Sequence, residues 1–80
     1  MYPNPFNPTT TIKFGLPEDA KVQIKIYNVL GELITELVSQ EMEAGYHGIQ
    51  FKARNYVSGV YFYRIETGKF NAVKKMLILR

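Results

Sequence analysis

The stretch from Ala20 to Asn28, AKVQIKIYN, decides the fold. Val22, Ile24 and Ile26 alternate with Lys21, Gln23 and Lys25, so an extended chain presents one apolar face and one polar face. A helix would scatter the same residues around its axis. The stretch reads as a strand that is buried on one side only.

The same two-residue period continues on both sides. Upstream, TTTIKFGLP places Ile12, Phe14 and Leu16 on one face and Thr11 and Lys13 on the other; Pro17 ends the strand and PEDA supplies a turn. Downstream, NVLGE reads as a tight turn in which Gly31 is free to take a positive backbone angle. ELITELV is ambiguous: Ile34 and Leu37 have helical spacing, whereas Leu33 and Leu37 suit a strand. Its neighbours are strands, so it reads as a strand with a bulge.

After SQEMEAG, with Gly45 at the turn, YHGIQFKA puts His47, Ile49 and Phe51 on one face. RNYVSG is a loop closing at Gly59, and VYFYRIET is dense in the aromatic and β-branched residues that suit a pleated surface. Thr67, Gly68 and Lys69 form a hairpin turn into FNAVKKMLILR. Six strands are expected, or seven if the N-terminal segment pairs. The fold class is all-β: a small antiparallel β-sandwich, immunoglobulin-like. Residues 1–8, MYPNPFNP, hold three of the four prolines and read as a Pro/Asn-rich leading segment or linker end. Residues 9–80 are expected to form a single sandwich domain.

Eighty residues, 46% hydrophobic and 21% charged, have room for one core. There is no cysteine, so packing alone must hold it. No stretch approaches the roughly 20 apolar residues of a membrane-spanning helix, and a route out of the cytoplasm would require a leader upstream of Met1. The net charge of +3 is scattered, with Lys74-Lys75 the only adjacent basic pair. That pattern argues against nucleic acid, whose phosphates call for clustered cations.

The catalytic inventory is thin: one histidine, His47, one aspartate, Asp19, and two serines, Ser39 and Ser58, none within a motif. No enzymatic activity and no cofactor are expected. A zinc site would need four Cys or His ligands, and Glu18-Asp19 and Glu41/Glu43 lack the alternating spacing of calcium loops. Tyr61 and Tyr63 share a face opposite Phe62, and on an open sheet such tyrosines could stack on sugars, which keeps a carbohydrate-binding module as an alternative.

Taken in order, YPNPFNPTTTIKFGLP, VQIKIYNVLGELITELV, AGYHGIQF and SGVYFYRIETGKFNAVKKMLILR resemble the C-terminal sorting domain of type IX (Por) secretion substrates, over Tyr2 to Arg80. The immunoglobulin-like domain of the flagellar hook-capping protein looks similar in its leading segment, its YN..G turn and its GVYFY strand. Those domains often carry Asp-Gly after the fourth strand, where this chain has FKARN.

The sorting-domain resemblance implies a non-catalytic signal at the end of a cargo protein, recognised by the secretion machinery, carried across the bacterial outer membrane and removed by a sortase-like peptidase. The implied partners are an outer-membrane shuttle, that peptidase and the cargo upstream; the implied location is the cell surface or the medium. The implied recognition element is Gly68, Lys74, Lys75, Met76, Leu77, Ile78, Leu79 and Arg80, with Gly31, Gly45 and Gly59 as structural turns. A terminal strand could be read by strand addition, with Lys74 and Lys75 steering the approach, or could pair with its copy in an edge-strand dimer. The alternative role is a structural or interaction domain of the hook-capping type.

Overall fold

A computed structural model describes residues 9–52 and 56–78. They form six strands: β1 (Thr9–Leu16), β2 (Ala20–Asn28), β3 (Leu33–Met42), β4 (Gly45–Lys52), β5 (Gly59–Glu66) and β6 (Asn71–Ile78). The expected leading segment 1–8, and with it a seventh strand, lies outside the described residues, as do Leu79 and Arg80.

All pairings are antiparallel. One sheet is the pair β1-β4, and the other runs β3-β2-β5-β6. The two sheets make the small sandwich that the alternating pattern predicts. Val22, Ile24 and Ile26 are fully buried, and Ile12 of the small sheet and Ile78 at the end of β6 are 1% exposed. Around them pack Leu16, Val38, Phe51, Tyr61, Ile65 and Met76. Each such side chain contributes about 1.5–3 kcal/mol by leaving water, which is the main stabilising term for a chain with no disulfide.

The helical spacing within β3 has a definite origin. Its register on β2 slips twice, between Val38 and Glu36 and between Thr35 and Leu33. The extra residues are Leu37 and Ile34, and both are half-buried and packed against the core. Two bulges three residues apart thus turn inward side chains that a regular strand would have sent elsewhere. The opposite edge differs, because β6 pairs with β5 in unbroken register from Gly59–Ile78 to Glu66–Asn71.

Successive strands reverse direction, so the sandwich has two distinct ends. At one, Asp19 Oδ1 accepts a hydrogen bond from the Ala44 amide at 2.8 Å and ties two turns together. At the other, Asn28 closes the β2–β3 turn: its Oδ1 accepts from the Leu30 and Glu32 amides, each at 2.9 Å, and its Nδ2 donates to Glu32 Oε1 at 2.7 Å. Gly31 sits in that turn at φ +86°, a left-handed angle that a side chain would strain.

Candidate functional site: the terminal edge strand

β6 has one neighbour, β5, and its other edge carries no strand among the described residues. Its side chains alternate. Met76 and Ile78 are buried in the core, whereas Val73, Lys75 and Leu77 point to the outer face of the sheet, where Val73 and Leu77 are each 55% exposed. The register sets Leu77 beside Val60, Lys75 beside Phe62 and Val73 beside Arg64. Tyr27 follows Phe62 on β2, and Lys25 follows Arg64. The outer face is therefore an apolar and aromatic strip with cations set into it.

Lys74 belongs to the core-side face with Met76 and Ile78, opposite Tyr63, yet it is exposed. Among the described residues the ion pairs are Lys25–Glu66 at 3.8 Å and Lys69–Glu18 at 3.3 Å, so Arg64, Lys74 and Lys75 belong to neither. Gly68 is exposed in the β5–β6 turn, where the Thr67 Oγ1 accepts hydrogen bonds from the Lys69 and Phe70 amides. Gly45 and Gly59 both have positive φ and open space where a Cβ would stand.

The other sequence candidates have structural occupations. His47 Nε2 donates to the Glu43 carbonyl at 2.6 Å, and its ring lies 5.5 Å from that of Phe14. Asp19 is engaged with Ala44, and Glu18 with Lys69. Among the described residues no three of His, Asp and Glu gather as a metal site would require. No helix of the described residues is long and apolar enough to cross a membrane.

The tyrosine pair does not form an open platform. Tyr61 is 6% exposed and its hydroxyl donates to the Val57 carbonyl at 2.9 Å, while Tyr63 is half-buried against the core. The sequence placed them correctly on one face, but that face is the inner one. The most exposed aromatic among the described residues is Tyr46, at 95%, whose ring crosses Gly15 on the outer side of the small sheet. Its parity on β4, opposite to that of His47 and Phe51, was the available signal.

A family model described as "Secretion system C-terminal sorting domain" matches residues 1–79. No curated protein and no solved structure matches the chain.

Proposed function

The chain belongs to the C-terminal sorting domains of type IX (Por) secretion, and from that premise we propose that β6 is the strand the secretion machinery reads. Domains of this family direct proteins across the outer membrane to the cell surface or the surrounding medium. In the reading offered here, the edge of β6 that carries no strand among the described residues accepts a strand of the machinery through main-chain hydrogen bonds, and the outward Val73, Lys75 and Leu77 supply selectivity. Met76 and Ile78 hold the strand in the sandwich. Lys74 and Lys75 add long-range attraction to an acidic partner surface.

The observation that carries this is the contrast between the two edges of the larger sheet. β3 is twisted by two bulges, which blunts an edge against pairing, whereas β6 is regular over its whole length. An upstream cargo, an outer-membrane shuttle and a sortase-like peptidase complete the proposed path.

The test fuses the domain to a signal peptide and a reporter in a type IX-competent bacterium. Deleting residues 74–80, and separately replacing Leu77 by Asp, should both abolish surface delivery. Circular dichroism separates a lost signal from a lost fold, and normal delivery of a folded Leu77→Asp variant would refute the role given to the outer face.

A further inference from the structure

The outer face of the small sheet is open in a way that the core does not require. Parity puts Thr11, Lys13 and Gly15 of β1 and Tyr46, Gly48 and Gln50 of β4 on that face, and all six are exposed. Gly15 and Gly48 have no left-handed backbone angle, so turn geometry does not call for them. Their missing side chains leave a shallow hollow of about 570 Å³, lined by Lys13, Phe14, Gly15, Tyr46, His47 and Gly48. It sits toward the end of the sheet where β1 finishes and β4 begins.

Tyr46 stands over this hollow. Its exposed ring leans across Gly15, where a Cβ would stand 3.0 Å from Cε1 and 3.2 Å from Cδ1, so glycine is what lets the ring lie there. Lys13 pairs with Gly48, one diagonal step from Tyr46 and about 7–8 Å away along the main chains, within reach of a lysine side chain. It belongs to neither ion pair of the described residues, and no carboxylate lines the hollow. Glu18 and Asp19, in the adjoining turn, are engaged with Lys69 and the Ala44 amide.

We propose that this hollow binds a sugar unit of an acidic polysaccharide, its ring stacked on Tyr46 and its carboxylate paired with Lys13. A sugar ring has a face of C–H groups, which the negative face of an aromatic ring attracts, and a rim of polar groups. Thr11 and Gln50 lie along the same outer face and serve that rim. The volume is that of an ordinary small-molecule site. A nucleic acid strand also stacks on aromatic rings, but its phosphates call for more cations than this one lysine. Domains of this family reach the cell surface or the surrounding medium, where such a polymer is met. The site belongs to the small sheet, so it holds independently of what reads β6.

Affinity electrophoresis of the full chain tests it, in native gels loaded with polygalacturonate, neutral dextran or polyglutamate. The net charge of +3 lets any polyanion slow the protein somewhat. The expected result is stronger retardation by polygalacturonate than by polyglutamate of equal charge density, and little by dextran. Tyr46→Ala should weaken binding to polygalacturonate roughly tenfold and Lys13→Gln roughly threefold, whereas Tyr46→Phe, which keeps the ring, should change it little. Equal retardation by polyglutamate or by dextran, or a Tyr46→Ala variant that binds like the parent, would overturn the proposal. Both positions are exposed, so circular dichroism should show folded variants. If one fails to fold, the comparison of polymers on the parent chain still decides.

Discussion

Lys74 and Lys75 are consecutive in the chain but face opposite sides of the larger sheet, Lys74 across from Tyr63 and Lys75 across from Phe62. Two cations that read as one basic pair in the sequence therefore belong to different surfaces. Lys75 sits within the outer strip of Val60, Phe62, Val73 and Leu77, whereas Lys74 rims the core.

The first prediction separates them. Charge reversal by Lys75→Glu should reduce reporter delivery several-fold, through lost attraction and new repulsion, and Lys74→Glu should do so less. Both side chains are exposed, so both variants should keep wild-type circular dichroism. Equal losses would show that net charge alone matters.

A regular edge that, like that of β6, carries no strand among the described residues is an aggregation hazard that charged side chains restrain. Replacing both lysines by valine should let β6 pair with its copy. Sedimentation velocity at rising concentration is expected to show a dimer or larger species for Lys74→Val/Lys75→Val and less of either for the parent chain.

Ile24 is at the centre of the core and fully buried. Ile24→Ala should cost about 2–5 kcal/mol through lost burial and a residual cavity. Domains of this size have a total stability of about 5–15 kcal/mol, so the urea midpoint should fall steeply.

The β2–β3 turn depends on one side chain. Asn28→Ala removes acceptors for two amides and a donor to Glu32 and should cost about 1–2 kcal/mol, with faster exchange of the Leu30 and Glu32 amides. Gly31→Ala, forced to φ +86°, should cost about 1–2 kcal/mol by a different route, backbone strain.

Two tyrosines should differ in their contribution to stability. Tyr61→Phe loses the bond to the Val57 carbonyl and should destabilise by about 1 kcal/mol. Tyr46→Ser, at a 95% exposed position, should stay within about 0.5 kcal/mol in thermal unfolding.

Much of this architecture is visible in the amino-acid order. AKVQIKIYN and TTTIKFGLP alternate cleanly because each has one dry face, and Val22, Ile24, Ile26, Ile12 and Leu16 are buried as that period requires. β3 was harder to read, since a bulge is a property of two strands: Leu37 and Ile34 turn inward only because β2 has no residue to set opposite them. The tail was harder still. MLIL reads as one apolar run, and only the register on β5 sends Met76 and Ile78 inward and Leu77 outward. For Tyr61 and Tyr63 parity gave the shared face, but which face is covered depends on the small sheet, whose strands β1 and β4 are far apart in the chain.

Six strands that reverse at every step are an even number, and evenness fixes the orientation of the whole domain. β1 begins and β6 finishes at the same end, so a protein attached ahead of β1 leaves the turns after β1, β3 and β5 at the opposite end. Those outward turns, near Glu18, Ala44 and Gly68, are the natural places to graft an epitope or a fluorophore: a label there reports on the domain without standing between it and its passenger.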